Sequence, residues 1–331
     1  LSKLTKILHF FPEEFSHHIA LKSLKIFHNL GMTRLILGKQ EASIEFADKD
    51  INNLSNKVGI AAGLDKNGDY IDCLAALGIG FIEVGTVTPR PQKGNPKPRI
   101  FRNLKDKSLL NRLGFNNKGV DYLVKNLKNK KTNILIGSSI GKNFDTSNEK
   151  ASNDYLFCLE KVYEYSDYIA INISSPNTQD LRNLSKVEYL DSLLQVIKFK
   201  QKNLSEIHGY VPIFIKISPD ESLENLSSIC NSILQNKLDG IICSNTTIDH
   251  NDPNGYGGIS GRPLKEKATT SLLHVKDLIG DEIPIIASGG VMSVEDYLEK
   301  IDAGANLVQL YTGFIYEGPK LIEDILNLNP R

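Results

Sequence analysis

The sequence predicts an α/β protein built on a (β/α)8 barrel, with a small helical extension at its N-terminus. Eight short apolar runs alternate with stretches of helical periodicity over about 270 residues, the count and size typical of that barrel. The predicted strands are Val58–Ala62, Phe81–Gly85, Ile134–Ile140, Tyr168–Ile173, Pro212–Ile217, Gly240–Ser244, Pro284–Ala287 and Leu307–Leu310. The rival fold is a doubly wound open sheet, which usually has fewer strands and a GxGxxG fingerprint after the first. The segment Gly63–Gly68 lacks that fingerprint, so the barrel is favoured.

The composition is typical of a globular protein and excludes several function classes. The 331 residues are 40% hydrophobic and 24% charged, and 39 basic residues balance 39 acidic ones, so nothing indicates a nucleic-acid partner. The four cysteines lie far apart without a CxxC pair, which argues against a zinc site or disulfides and favours a reducing compartment. No apolar stretch approaches the ~18 residues of a membrane-spanning helix.

Residues 1–45 differ from the rest and are predicted to be a separate extension, with residues 46–331 forming the barrel domain. An apolar cluster, which contains Leu4, Ile7, Leu8, Phe10 and Phe11, precedes a helix start at Pro12-Glu13-Glu14. Apolar residues then follow at helical spacing until Gly31. The pattern leaves two interpretations open. The helices cap the barrel with their apolar faces, or they lie in a membrane interface.

The predicted helices between the strands include Asp69–Leu77, Glu149–Tyr165, Lys186–Asn203, Glu221–Gln235, Lys265–Ile279 and Ser293–Ala303. The connection Thr86–Asn117 is different, because it is rich in proline and arginine and has no clear periodicity. A connection of that length in a compact domain is usually functional.

The stretch 168–178 is the most informative part of the chain. Tyr168–Ile173 has the apolar pattern of a strand buried on both faces, and polar residues follow it at once. Pro176 fixes one backbone angle and restricts Ser175 to an extended conformation. Rigidly held polar groups at the carboxyl end of a buried strand favour an active site, although a capped loop would show a similar pattern.

The carboxyl ends of barrel strands converge on one mouth, so the polar residues there form one predicted site. Those residues are Ala62, Gly63, Lys66, Thr86, Ser139, Lys142, Asn143, Asn172, Ser175, Asn177, Lys216, Ser244, Asn245, Thr246, Ser288, Gly289, Gly290, Tyr311, Thr312 and Gly313. The glycines after the last two strands predict a phosphate cradle, although tight turns need glycine too. Lysines and asparagines favour a flavin phosphate and a small substrate with ring amides and a carboxylate. No cluster of histidines or carboxylates stands there, which argues against a metal site and paired-carboxylate chemistry.

Several motifs resemble those of the dihydroorotate dehydrogenases. They are Ala61–Lys66, Glu83–Gln92, Asn111–Asn117, Asn172–Thr178, Ser244–Thr247, Gly257–Leu264 and Ser288–Gly290, and the resemblance runs from Pro12 to the end of the chain. Serine at position 175, where the soluble class carries cysteine, and the N-terminal helices resemble the membrane-associated, quinone-using class 2.

The resemblance implies oxidation of (S)-dihydroorotate to orotate in pyrimidine synthesis, with FMN as hydride acceptor and a membrane quinone as final acceptor. Ser175 is implied to be the base for the C5 proton. The residues implied to bind FMN are Ala62, Gly63, Lys66, Thr86, Ser139, Asn172, Lys216, Ser244, Gly261, Gly290, Tyr311 and Thr312. Those implied to bind substrate are Lys66, Asn111, Arg112, Leu113, Gly114, Phe115, Asn172, Asn177, Asn245 and Thr246. His17 or His18, with Arg102, is implied to line the quinone entrance.

Two positions depart from the family pattern. Ser139 stands where asparagine is usual, and because serine is shorter and has no amide, a direct hydrogen bond to the flavin is left open, with a bridging water as the alternative. Ser244 replaces the usual threonine and keeps the hydroxyl. Ser175 itself is a poor base, so we expect it to relay the proton outward, with Thr178 as the nearest partner in sequence.

The resemblance favours the membrane-interface interpretation of residues 1–45 and a peripheral enzyme on the cytoplasmic side of a bacterial inner membrane, with the mitochondrial inner membrane as the alternative. The chain opens at Leu1 without a leader, which favours the bacterial membrane. No obligate protein partner is evident. The competing functions are a flavin barrel that uses fumarate or NAD, a barrel lyase or isomerase acting on a sugar phosphate, and a catalytically silent flavin-binding barrel.

Overall fold

The predicted barrel is present in the computed structural model, which describes residues 10–32, 51, 54, 56–178 and 181–328. Its strands are β1 (Val58–Ile60), β2 (Phe81–Val87), β5 (Leu135–Ile140), β6 (Tyr168–Asn172), β7 (Ile213–Lys216), β8 (Gly240–Cys243), β10 (Ile285–Ser288) and β11 (Leu307–Leu310). They close in the order β1-β11-β10-β8-β7-β6-β5-β2, and every neighbouring pair is parallel. All eight predicted runs therefore lie in the barrel wall.

The helices of the described residues are α1 (Glu13–Asn29), α2 (Ile71–Ala75), α3 (Val120–Lys128), α4 (Ala151–Val162), α5 (Val187–His208), α6 (Leu223–Gln235), α7 (Lys265–Ile279), α8 (Val294–Asp302), α9 (Thr312–Glu317) and α10 (Pro319–Leu326). Helices α2, α4, α6, α7 and α8 lie within the predicted ranges, and α5 follows its predicted range and continues to His208. Sequence periodicity did not identify α3, α9 and α10.

The long connection after β2 contains structure that the sequence did not predict. Its centre forms an antiparallel hairpin of β3 (Ile100–Asn103) and β4 (Ser108–Asn111), and β9 (Gly258–Gly261) pairs with β4 to complete a small sheet. Strand β9 comes from the loop after β8. Two loops that lie far apart in sequence are thereby joined beside the barrel.

Large and small residues alternate inside the barrel. An added Cβ at Gly137 would lie 2.0 Å from the Tyr168 ring, and one at Gly240 would lie 2.1 Å from the Phe214 ring. The two rings themselves meet edge to face, with centroids 5.5 Å apart. In the described part of the chain, the barrel interior at the amino ends of the strands is therefore a filled core, as in other barrels of this type. A ligand can enter at the carboxyl ends of the strands.

Helix α1 begins after Pro12 and ends just before Gly31, as predicted. It is fastened to the barrel domain by an ion pair of 2.8 Å between Glu14 and Arg99, and by Lys25 Nζ, which donates to the Asp69 carbonyl at 2.8 Å. The first part of the predicted apolar cluster, residues 1–9, lies outside the described residues.

Candidate active site

A cavity opens at the carboxyl ends of the barrel strands, where the sequence predicts the site. Predicted residues in its lining are Ala62, Gly63, Lys66, Thr86, Asn111, Leu113, Gly114, Phe115, Asn172, Ser175, Asn177, Lys216, Ser244, Asn245, Thr246, Gly261, Gly290, Tyr311 and Thr312. Ser288, Gly289 and Gly313, which the sequence placed at the mouth, also line the cavity, and the lining residues that the sequence did not predict are Ala61, Ser260, Leu264, Val291, Met292 and Gln309. Of the predicted residues, Ser139, Lys142, Asn143 and Arg112 are not among the lining residues.

The loop after β6 carries Ser175 and is tied to the loop after β8. Asn245 Nδ2 donates to Ser174 Oγ at 3.0 Å, and Asn245 Oδ1 accepts from the Thr246 backbone N–H at 2.8 Å. Ser175 is only 5% exposed, and its Oγ accepts a long 3.4 Å hydrogen bond from the Asn177 backbone. The serine hydroxyl is thus sheltered and only weakly engaged by the protein.

Two buried oxygens of cavity-lining residues on these loops, Asn177 Oδ1 and Thr246 Oγ1, have no hydrogen-bond partner in the described part of the chain. The amide of Asn177 is fixed because its Nδ2 donates to Asn111 Oδ1 at 2.9 Å, and Asn111 Nδ2 in turn donates to the Gly258 carbonyl at 3.1 Å. Buried polar atoms are normally paired. The two unpaired oxygens therefore indicate a polar ligand with hydrogen-bond donors, such as ring amides.

Ser139 supports the cavity from behind. Its Oγ lies 2.8 Å from Thr86 Oγ1, which accepts from Asn172 Nδ2 at 2.9 Å. All three side chains are buried. The resemblance implied a flavin contact for Ser139, but its short side chain reaches Thr86 instead. It orients Thr86 and, through it, the amide of Asn172, which does line the cavity.

The cavity floor contains a buried ion pair that sequence analysis missed. Lys216 Nζ lies 3.1 Å from Glu83 Oε1, and Glu83 Oε2 accepts from Gln309 Nε2 at 2.7 Å and from the Tyr168 hydroxyl at 3.3 Å. A carboxylate within the apolar run Phe81–Val87 was the sequence signal that could have revealed it. The pair neutralises the lysine charge while leaving Lys216 and Gln309 in the lining.

Arg112 does not contribute its side chain to the cavity. Its guanidinium carbon lies 4.7 Å from the centre of the Phe101 ring and 4.9 Å from that of Tyr256, and Nη1 donates to the Asn254 carbonyl at 2.9 Å. Successive side chains of an extended chain point in opposite directions, so Asn111 and Arg112 cannot both face the ligand. The stacking holds the loop after β8 against the β3–β4 hairpin.

The predicted phosphate cradle lies where α7 begins. Gly290 has φ +78°, and an added Cβ there would lie 2.3 Å from Lys265 Cα. Gly261 has φ +92°, and its Cβ would lie 2.3 Å from the Lys107 carbonyl oxygen. Only glycine allows this backbone conformation together with such a close approach. Backbone N–H groups at the start of a helix are suited to an anion such as a phosphate.

A second cavity adjoins the first on the side of α1. It is lined by His17 and His18 and shares Gly63, Lys66, Leu113 and Tyr311 with the first cavity. Lys66 Nζ donates to Asn116 Oδ1 at 2.5 Å. Burial, and next the nearby Arg99 charge, lower the pKa of Lys66 to about 7. This lysine stands at the boundary between the two cavities.

Two of the predicted quinone-entrance residues, His17 and His18, lie on α1. Burial, followed by the charge of Lys66, lowers the pKa of His17 to about 4, and its Nε2 has no partner among the described residues. His18 is exposed. Arg102 is in β3 beside the helix, and its backbone N–H donates to Glu13 Oε1 at 3.2 Å, but it is not in the lining of the second cavity.

Helix α1 leaves much of its apolar surface uncovered. Within the helix Phe15, Ile19 and Ile26 are exposed, and in the residues that flank it Phe10 is 89% exposed, Leu30 66%, and Phe11 is exposed as well. Within the helix only Ser16 and Leu21 are buried. In the part of the chain that the structure describes, no helix is both long and apolar enough to span a bilayer. The exposed apolar side chains do not fit a helix that merely caps the barrel core.

Comparisons with known proteins agree with this geometry. A family model described as dihydroorotate dehydrogenase matches residues 48–328. A protein of Shewanella sediminis named dihydroorotate dehydrogenase (quinone) is 49% identical over 97% of this chain and 96% of its own length. A protein of the same name from Vibrio parahaemolyticus is 52% identical over 82% of this chain and 83% of its own. A crystal structure of DHODH from Eimeria tenella in complex with ferulenol has a TM-score of 0.83 at 32% identity, covering 96% of this chain and 90% of that one.

The chain belongs to the dihydroorotate dehydrogenase family. The names of its relatives confirm the predicted resemblance to the quinone-using class, and the chain is an oxidoreductase. Family membership also implies a flavin cofactor.

The cavity residues fit a flavin phosphate. The glycine cradle accepts an anion, Lys216 and Asn172 provide hydrogen-bonding groups on the floor, and Gln309 Oε1 is a buried acceptor without a partner in the described residues. A ring system with an imide edge and a phosphate tail matches that donor and acceptor set.

Proposed function

We propose that the chain oxidises (S)-dihydroorotate to orotate, with FMN as the hydride acceptor and a membrane quinone as the final electron acceptor. The observation that carries this proposal is the sheltered Ser175 beside the unpaired oxygens of Asn177 and Thr246. A flat pyrimidine with two ring amides has donors for those oxygens. The relatives named dihydroorotate dehydrogenase (quinone) support the same substrate and acceptor.

Ser175 takes the proton from C5 of the substrate while the hydrogen on C6 leaves with its electron pair, so that the C5–C6 double bond forms. A neutral hydroxyl is a weak base, because the efficiency of a general base follows the match between its pKa and the working pH. Ser175 therefore has to pass the proton on as it receives it. Thr178 is buried, and its Oγ1 has no partner among the described residues, which supports it as the next group in the relay.

FMN, when bound, would supply the acceptor for the C6 hydride and the redox link to the quinone. The residues proposed to hold the ribityl phosphate are Gly261, Gly290, Tyr311 and Thr312. Lys216 and Asn172 are proposed to contact the isoalloxazine. Ser139 acts on the cofactor only through Thr86. Asn111, Asn177, Asn245 and Thr246 are proposed to hold the substrate ring and carboxylate, with Lys66 between substrate and cofactor.

The quinone is proposed to enter through the second cavity, past His17 and His18. Residues 1–45 form the membrane-associated extension in this proposal, and residues 46–331 form the catalytic domain. The exposed apolar side chains of α1 support peripheral attachment, because a helix with such a face can lie in a bilayer interface. The proposed location is the cytoplasmic side of the inner membrane, with the mitochondrial inner membrane as the alternative.

Anaerobic mixing of the flavin-loaded protein with dihydroorotate tests the proposal. We expect the flavin absorbance to bleach within the first turnover and to return when a quinone is added. If the purified protein is colourless because it binds no flavin, it is a lyase or isomerase instead. A yellow protein that does not bleach would indicate a binding protein. Reoxidation by fumarate or NAD, but not by quinone, would refute the assigned acceptor.

A further inference from the structure

We propose that Arg182 is a positioning residue that holds the two substrate-binding loops in register, one on each side of the substrate. This inference rests on the proposed function, because it concerns the geometry of the dihydroorotate site. Arg182 lies outside the cavity lining, in the 3-10 helix Leu181–Ser185, and neither sequence motifs nor the cavity identified it.

The guanidinium binds the backbones of both loops at once. Its Nε donates to the Ser174 carbonyl at 3.1 Å, and its Nη2 donates to the Thr246 carbonyl at 3.0 Å. The first carbonyl belongs to the loop after β6 and the second to the loop after β8. A planar guanidinium offers several N–H donors in a fixed arrangement, so the two carbonyls are held at a set separation.

A third contact fixes the guanidinium itself. Nη1 donates to Asp220 Oδ2 at 2.8 Å, and Asp220, which follows β7, also accepts from the Ile248 backbone N–H at 2.9 Å and lies 2.9 Å from Lys267 Nζ. The side chain of Arg182 is only 21% exposed. A charge-assisted contact in this setting is stronger than a surface ion pair.

The bond to the Ser174 carbonyl acts directly on the proposed base. This carbonyl belongs to the peptide group that joins Ser174 to Ser175, so holding it restrains rotation of the backbone on one side of the hydroxyl. Pro176 restricts the other side. Asn245 Nδ2 donates to Ser174 Oγ at 3.0 Å from within the site. Arg182, which lies outside the cavity lining, thus adds a second connection between the loop that carries Ser175 and the loop that carries Asn245.

The test compares Arg182→Lys and Arg182→Met with the wild type in anaerobic flavin reduction. Lysine keeps the charge and can keep the Asp220 ion pair, but one ammonium group cannot hold both carbonyls in the guanidinium geometry. We expect the rate of flavin reduction to fall at least tenfold in Arg182→Lys and further in Arg182→Met. We expect the dissociation constant for orotate, measured from the flavin absorbance shift, to rise by a smaller factor.

An isotope measurement separates positioning from a general loss of structure. Displacement of Ser175 slows removal of the C5 proton, so the isotope effect with C5-deuterated dihydroorotate should increase in Arg182→Lys. The matched control is Arg90→Lys, which alters an exposed ion pair with Asp145 whose side chains lie outside the cavity lining. Arg90→Lys should leave the rate and the isotope effect unchanged.

A wild-type rate in Arg182→Lys, or a rate loss without any change in the C5 isotope effect, would overturn the inference. If Arg182→Met does not fold, Asp220→Asn replaces it, and its reduction rate should fall in the same direction. If the wild type itself is not bleached by dihydroorotate, the proposed function fails. A bleached wild type with an equally active Arg182→Lys overturns the inference alone.

Discussion

The cavity at the barrel mouth has a substrate side and a side that faces α1, and the two differ in how their side chains are held. On the substrate side, half-buried asparagines are fixed by hydrogen bonds to neighbouring side chains, as in the 2.9 Å contact between Asn177 and Asn111 and the 3.0 Å contact between Asn245 and Ser174. On the side of α1, the apolar side chains of Phe15 and Ile26 are exposed beside a second cavity whose lining residues are mostly polar, and His17 Nε2 has no partner among the described residues.

This contrast matches two different chemical demands. Removal of a proton and a hydride from a small polar ring needs groups that are fixed in place. Entry of a lipid-soluble acceptor needs an apolar surface in contact with the membrane. Among the described residues, the linings of the two cavities share Lys66, Tyr311 and two others, so the two half-reactions should be separable by mutation.

The largest effect is expected on the substrate side. Ser175→Ala removes the proposed base, so flavin reduction by dihydroorotate should slow by about 10²–10⁴-fold, the range for loss of general-base catalysis. The bound flavin and its reoxidation by quinone should be unchanged. Stopped-flow absorbance measures both rates. A variant that reduces its flavin at the normal rate would remove Ser175 from the mechanism.

The opposite side is tested by placing charges on the exposed face of α1. The double variant Phe15→Asp and Ile26→Asp should weaken binding to lipid vesicles roughly a hundredfold, because each buried apolar side chain contributes about 1.5 kcal/mol or more. Turnover with a long-tailed quinone should fall, while flavin reduction stays normal. Phe199→Asp with Ile207→Asp is the control, because it replaces the same two residue types at positions on α5 that are even more exposed. Equal vesicle binding by both double variants would contradict the assigned role of α1.

The phosphate cradle serves both half-reactions. Gly290→Ala should weaken FMN binding roughly ten- to hundredfold, because a strained backbone conformation costs about 1–3 kcal/mol and the new Cβ meets the backbone of Lys265. Released flavin fluorescence measures the affinity. Gly209→Ala is the control, because Gly209 has a similar φ of +83° with no atom within 4 Å of the added Cβ. Unchanged FMN affinity in Gly290→Ala would place the phosphate elsewhere.

The smallest effect concerns Lys66 at the boundary. Since burial lowers its pKa to about 7, the lysine is charged below that pH and becomes neutral as the pH rises through it. Orotate is an anion, so its affinity should fall about tenfold between pH 6 and pH 8, as expected for one coupled proton. Lys66→Met should bind orotate weakly at all pH values. The pKa of His17 is about 4, so its protonation should not affect the quinone step over that range.

The sequence was sufficient for the parts of the structure that depend on local patterns. The barrel strands appear as short apolar runs, and α1 begins at Pro12-Glu13-Glu14 and ends at Gly31 as expected. Most residues of the proposed site could also be found, because the strand ends of a barrel converge on one mouth. Arg112 was predicted in the site, but its side chain points away because neighbouring residues of an extended chain face opposite directions. Ser139 was also predicted there, but its short side chain reaches Thr86 and is not in the cavity lining.

What the sequence by itself determined is the barrel, the mouth where its strands end, and the family motifs at that mouth. Only the tertiary structure decided which side chains meet across distant segments. The pairing of Glu83 with Lys216 and the contact of Arg182 with the Thr246 carbonyl are of this kind. Their partners lie 133 and 64 residues apart, so no local periodicity records them, and each exists because buried polar groups must find partners once the barrel closes.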